Sequence, residues 1–188
     1  MVWAIVAVLV IALVIAGVVI ARQRRSQRLQ EGFGPEYGRT LAEKGDRRAA
    51  ESELLERRER RQQLEVRELD PESRERYAER WRATQRTFVD QPSVAVAEAD
   101  RLVSEVMHDR GYPVDEDFER RAADVSVDHP VVVENYRAAH GISVRAARNE
   151  ADTEELRHAL VHFRSLFEEL LGADEKARET DEAKEMHR

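Results

Sequence analysis

"VWAIVAVLVIALVIAGVVIARQRRSQR", residues 2–28, decides how this chain is read. Val2 to Ala21 is a run of 20 residues without one charged side chain. At about 1.5 Å per helical residue it reaches roughly 30 Å, the depth of a bilayer's hydrocarbon core. Lipid offers the backbone no hydrogen-bond partner, so a helix is the form expected there. Trp3 lies near the outer end, where an aromatic ring suits the interface. Arg22, Arg24, Arg25 and Arg28 follow at once, and basic flanks stay on the cytoplasmic side. The expectation is a single-pass anchor over residues 1–21, its N-terminus outside and residues 22–188 in the cytoplasm. A cleaved export signal is the main competitor. Against it stand an n-region with no side-chain charge, a long apolar run and a poor cleavage site at "VIARQ". The four arginines are topology determinants first; they also have the chemistry to hold anionic lipid heads. Ala12 and Ala16 form a weak small-xxx-small signal for anchor pairing.

The chain of 188 residues carries 37% charged residues and a net charge of −7, with little glycine or proline. That balance favours helices. Four of the 31 basic residues and none of the 38 acidic ones fall in residues 1–30, which leaves −11 on residues 31–188. Such a domain is repelled by nucleic acid. There is no cysteine, which excludes disulfides, thiolate metal sites and cysteine nucleophiles.

Residues 22–39 form a basic juxtamembrane segment and a hinge, because Gly32, Gly34 and Pro35 break helices. Phe33 and Tyr37 are its apolar handles, read as hinge aromatics that tuck in or as a docking point. Residues 40–69 read as a charged spacer helix and a short link, with Glu43–Arg47, Glu53–Arg57 and Glu56–Arg60 as favourable i,i+4 pairs. Its apolar residues do not share one wide face, so it is expected to stay solvated. Residues 70–172 read as an irregular bundle of about four helices. Asp70-Pro71 is a start signal, Gly111 a stop, and Asp152 with Glu155 a capping box. Leu156, Leu160, Phe163, Phe167 and Leu170 form a core stripe, and Gly172 ends that helix. Residues 173–188 read as a disordered acidic tail. The fold class is all-α: one transmembrane helix, a charged spacer helix and a bundle.

Tyr77, Trp81 and Phe88, spaced by 4 and 7, form one stripe. It is either core or a partner surface. No phosphate loop, dinucleotide fingerprint or serine-nucleophile elbow occurs. His158 and His162 have the i,i+4 spacing to share a metal but lack further ligands; they fall on the face opposite the core stripe. His140, beside Tyr136, reads as a hydrogen-bonded core histidine. His108 and His129 flank helix ends.

"RLQEGFGPEYGRT", "GDRRAAESEL", "RYAERWRATQRTFVDQP", "AVAEADRLVSEVMHDRGYP" and "SVDHPVVVENYRAAH" together resemble a family of uncharacterised single-pass membrane proteins from actinobacteria and relatives. The resemblance covers most of residues 28–171 and implies no reaction, ligand or functional residue. Gly32 and Gly38 depart from it, standing where larger polar residues are expected, which loosens the hinge. The expected function is a membrane-tethered cytoplasmic interaction or scaffold module. It binds the bilayer through residues 2–21 and recruits an unknown protein partner. No catalysis, cofactor or nucleic-acid partner is expected, and homo-oligomers are possible. The alternatives are an exported cell-envelope protein with a cleaved signal and a histidine-dependent metal protein or enzyme.

Overall fold

The computed structural model describes residues 2–114 and 117–186; side chains at 2, 4–12, 14–15, 18–19 and 173–186 lie outside that description. The described residues form eight helices and no strand. The chain divides into two compact units, Met1–Glu56 and Arg57–Arg188.

The first unit holds α1 (Val2–Phe33), α2 (Pro35–Lys44) and the first part of α3 (Arg47–Gln63). α1 is a single helix of 32 residues. The hinge expected over residues 22–39 is therefore confined to its far end: residues 22–33 are helical, and the chain turns at Gly34, with Pro35 opening α2. Proline suits that first helical position, where its missing N–H is not needed.

The continuous spacer helix expected from residue 40 is interrupted. Gly45 ends α2 in the left-handed region, φ +66°, its N–H bonded to the Leu41 carbonyl at 3.0 Å. A β-carbon disfavours that conformation, so glycine belongs there. Asp46 then accepts from the Ala49 N–H at 2.9 Å and starts α3. The break undoes the expected Glu43–Arg47 pair. Glu43 instead lies 3.5 Å from Arg39, and Arg47 binds Glu51 at 2.9 Å. Nor is the spacer without a core. Leu29 and Phe33 on α1, Tyr37 on α2, and Ala50 and Leu54 on α3 are all buried. Each of those pairs within a helix is one turn apart, which puts both members on one face.

The second unit is built on α4 (Pro71–Asp90), α5 (Pro92–Asp109), α6 (Phe118–Asp128), α7 (Val133–Ala146) and α8 (Thr153–Met186). α5 is central, packed on α4, α7 and α8, while α6 packs on α7. Ala95, Val96, Ala99, Leu102, Val103, Val106 and Met107 of α5 are buried. Burying each large apolar side chain contributes about 1.5–3 kcal/mol. α8 supplies Leu156, Ala159, Phe163, Leu166, Phe167 and Leu170 to the same core. Leu160 of the expected stripe is only partly buried.

The ends of these helices follow their capping residues. Asp70 accepts from the Ser73 N–H at 2.8 Å. Asp152 and Glu155 bond each other's backbone N–H at 3.0 and 2.8 Å. Gly172 does not end α8, which continues to Met186; a lone glycine costs a helix only about 1 kcal/mol, and the residues after it are mostly good helix formers. Gly111 has φ +93° and lies so close to the 65–66 backbone that a β-carbon would sit 2.4 Å from the Glu65 oxygen. That approach lets the link before α4 bond the end of α5, the Arg67 N–H reaching the Arg110 carbonyl at 2.8 Å.

Among the described residues no helix is long and apolar enough to cross a membrane. Most side chains of the apolar run at 2–21 lie outside the described residues.

Candidate functional site

The aromatic stripe of α4 is core. Tyr77 is 4% and Trp81 5% exposed. Trp81 stacks on Phe167 of α8 with ring centroids 4.6 Å apart. Tyr77 donates to Asp109 of α5 at 2.6 Å. That bond holds the Asp109 carboxyl below its ordinary range, and burial pushes the Tyr77 phenol up. Neither residue offers a face to a partner, which corrects the partner-surface reading of the stripe. Phe88 is half-buried against the core. Exposed apolar side chains include Val89 and Val94 at the α4–α5 corner, 82% and 54% exposed, and Val131 between α6 and α7, 72% exposed.

The histidines do different work. His158 is exposed, its Nε2 3.3 Å from Glu154, and its ring centre lies 6.4 Å from that of His162. Burial, and then the neighbouring His158, lower the His162 pKa. Among the described residues no group of three or more metal-ligating side chains is assembled. His140 stacks on Phe118 at 3.7 Å and bonds Asp100 at 3.2 Å, a tie between α5, α6 and α7. His129 is the one whose environment the sequence does not signal. It is 6% exposed, Nδ1 lies 3.6 Å from Glu169, and burial lowers its pKa.

The chemically distinctive place in the first unit is a groove of about 710 Å³ between α1 and α3. Arg22, Arg25 and Ser26 line one wall, Arg47, Arg48 and Glu51 the other. Spacing explains the first wall, since residues at i, i+3 and i+4 share a helix face. Arg24 and Arg28, the other two flanking arginines, do not line it. A ring of hydrogen bonds sets the two walls. Arg47 donates to Ser26 and, at 2.9 Å, to Glu51. Tyr37 donates to Glu51 at 3.1 Å, and its oxygen lies 3.3 Å from that of Ser26. Burial raises the Glu51 pKa, but the bonds from Ser26, Arg47 and Tyr37 outweigh it and hold the carboxyl below its usual range.

Sequence reading identifies Arg22 and Arg25 but not their opposite wall. Arg47 and Arg48 lie more than 20 residues away, within an evenly charged segment. Comparisons with protein-family models, with curated proteins and with solved structures find no match to this chain.

Proposed function

We propose that this protein is a membrane-tethered helical interaction module. Residues 2–21 lodge in the bilayer with the N-terminus outside, and residues 22–188 lie on the cytoplasmic side, where the second unit recruits a protein partner. One observation carries this reading: α1 is unbroken from Val2 to Phe33, so the uncharged run and the arginine-bearing segment form one rod. At about 1.5 Å per residue that rod is roughly 48 Å long, enough to cross a hydrocarbon core of about 30 Å and still carry Leu29 and Phe33 beyond it. Arg22, Arg24, Arg25 and Arg28 mark the end that resists translocation.

Two measurements on the full chain test the tether. It should stay with membranes through carbonate extraction, and a C-terminal reporter active only in the cytoplasm should be active. A released polypeptide beginning near residue 22 overturns the tether and supports the exported reading. A partner surface at the α4–α5 corner is supported by the exposure of Val89 and Val94 there. Val89→Asp with Val94→Asp should abolish partner cross-linking in membranes; unchanged cross-links remove that corner.

A further inference from the structure

We propose that the arginine groove between α1 and α3 binds a phosphate-bearing anion, supplied either by the headgroup of an anionic phospholipid or by phosphate in solution. Four guanidinium groups, from Arg22, Arg25, Arg47 and Arg48, converge on this groove, and among the described residues lining it Glu51 is the one carboxylate. Glu51 is already engaged by Arg47 and Tyr37. Arg22, Arg25 and Arg48 are exposed and make no ion pair among the described residues. Several arginines elsewhere lie beside carboxylates: Arg60 is 3.3 Å from Asp124, and Arg145 is 2.6 Å from Glu155. Residues 31–188 carry a large excess of acid, so the shortage of carboxylates here is local.

Like charges gathered on two facing helices repel until an anion lies between them. Guanidinium suits phosphate, because its planar fork donates two parallel hydrogen bonds to two oxygens. The volume falls within the range of sites that hold a small ligand, about 300–1,000 Å³. The groove begins at Arg22, the residue after Ala21, which is the level of lipid phosphates if residues 2–21 span the bilayer. The lipid source rests on the tether reading; the solution source does not need it.

The test uses the full chain in a neutral detergent, titrated calorimetrically with dihexanoylphosphatidylglycerol, dihexanoylphosphatidylcholine and inorganic phosphate. Two double variants remove the same charge: Arg25→Gln with Arg48→Gln inside the groove, and Arg24→Gln with Arg28→Gln outside it. All four side chains are exposed and make no ion pair among the described residues, so circular dichroism should be unchanged in both. The groove variant should lose about tenfold or more in affinity for the anionic lipid, and the outside variant less than about threefold. Tighter binding of phosphatidylglycerol than of phosphate assigns the occupant to the membrane. Equal binding with the same variant pattern assigns it to solution, and both support the site. Equal loss in the two doubles, or no binding of either anion, overturns it.

Discussion

The two units hold their helices by different means. In the first, a ring of polar contacts among Ser26, Tyr37, Arg47 and Glu51 joins three helices, and the buried apolar set is small. In the second, α5 is wrapped by α4, α7 and α8, and Trp81 stacked on Phe167 is typical of its interior. Polar rings fix geometry at a net gain of about 1 kcal/mol per bond. Apolar cores supply most of the stability. The first unit is thus suited to presenting charges in a set arrangement, and the second to remaining folded.

The contrast breaks most readily at Trp81. Trp81→Ala should cost about 3–5 kcal/mol, read as a fall in the denaturant midpoint followed by circular dichroism. A loss under 1 kcal/mol would mean that the second unit does not depend on its apolar core. Gly111→Ala should cost about 2 kcal/mol or more, because it combines a strained positive φ with a clash on the Glu65 carbonyl. The same denaturation measures it, and a neutral result would remove the close approach.

Tyr37→Phe should cost about 1 kcal/mol, seen as roughly fivefold faster hydrogen exchange in α2 with α5 unchanged. Equal acceleration in both helices would erase the distinction between the units. The smallest effect concerns pH. Burial holds the folded pKa of His129 below its ordinary 6.5, so the unfolded chain takes up the proton first. The stabilisation is complete above about pH 6.5 and is lost as pH falls through the lowered folded value. Glu169 and Asp128 favour the charged ring and soften the slope, while Arg110 steepens it. His129→Gln should flatten the denaturant midpoint between pH 7 and 5. An unchanged profile would assign the slope to other groups, His162 among them.

Much of the second unit is legible in the sequence because local signals and burial agree there. Asp70-Pro71, Gly111 and the Asp152–Glu155 box each mark a real boundary, and the α8 stripe is buried apart from the half-covered Leu160. The first unit is less legible for a physical reason. Its apolar residues, Leu29, Phe33, Tyr37, Ala50 and Leu54, are spread thinly over three helices in a charged background. The i,i+4 charge pairs suggest one solvated helix, yet Gly45-Asp46 is also a stop-and-start signal, and it prevails. The groove is hardest to read, since its walls meet through tertiary contacts such as those of Arg47 with Ser26 and of Tyr37 with Ser26 and Glu51. Tyr77 and Trp81 illustrate a different limit: an aromatic stripe looks the same in sequence whether a neighbouring helix or a partner covers it.

The unbroken course of α1 past Ala21 has a rotational consequence. A helix advances about 100° per residue, so nothing between Ala21 and Phe33 can absorb a change of register. Inserting one residue at Gln23 would swing whatever precedes it a quarter-turn or more around the axis relative to Leu29 and Phe33. The bearing of Arg22 is then as much a property of chain length as of charge.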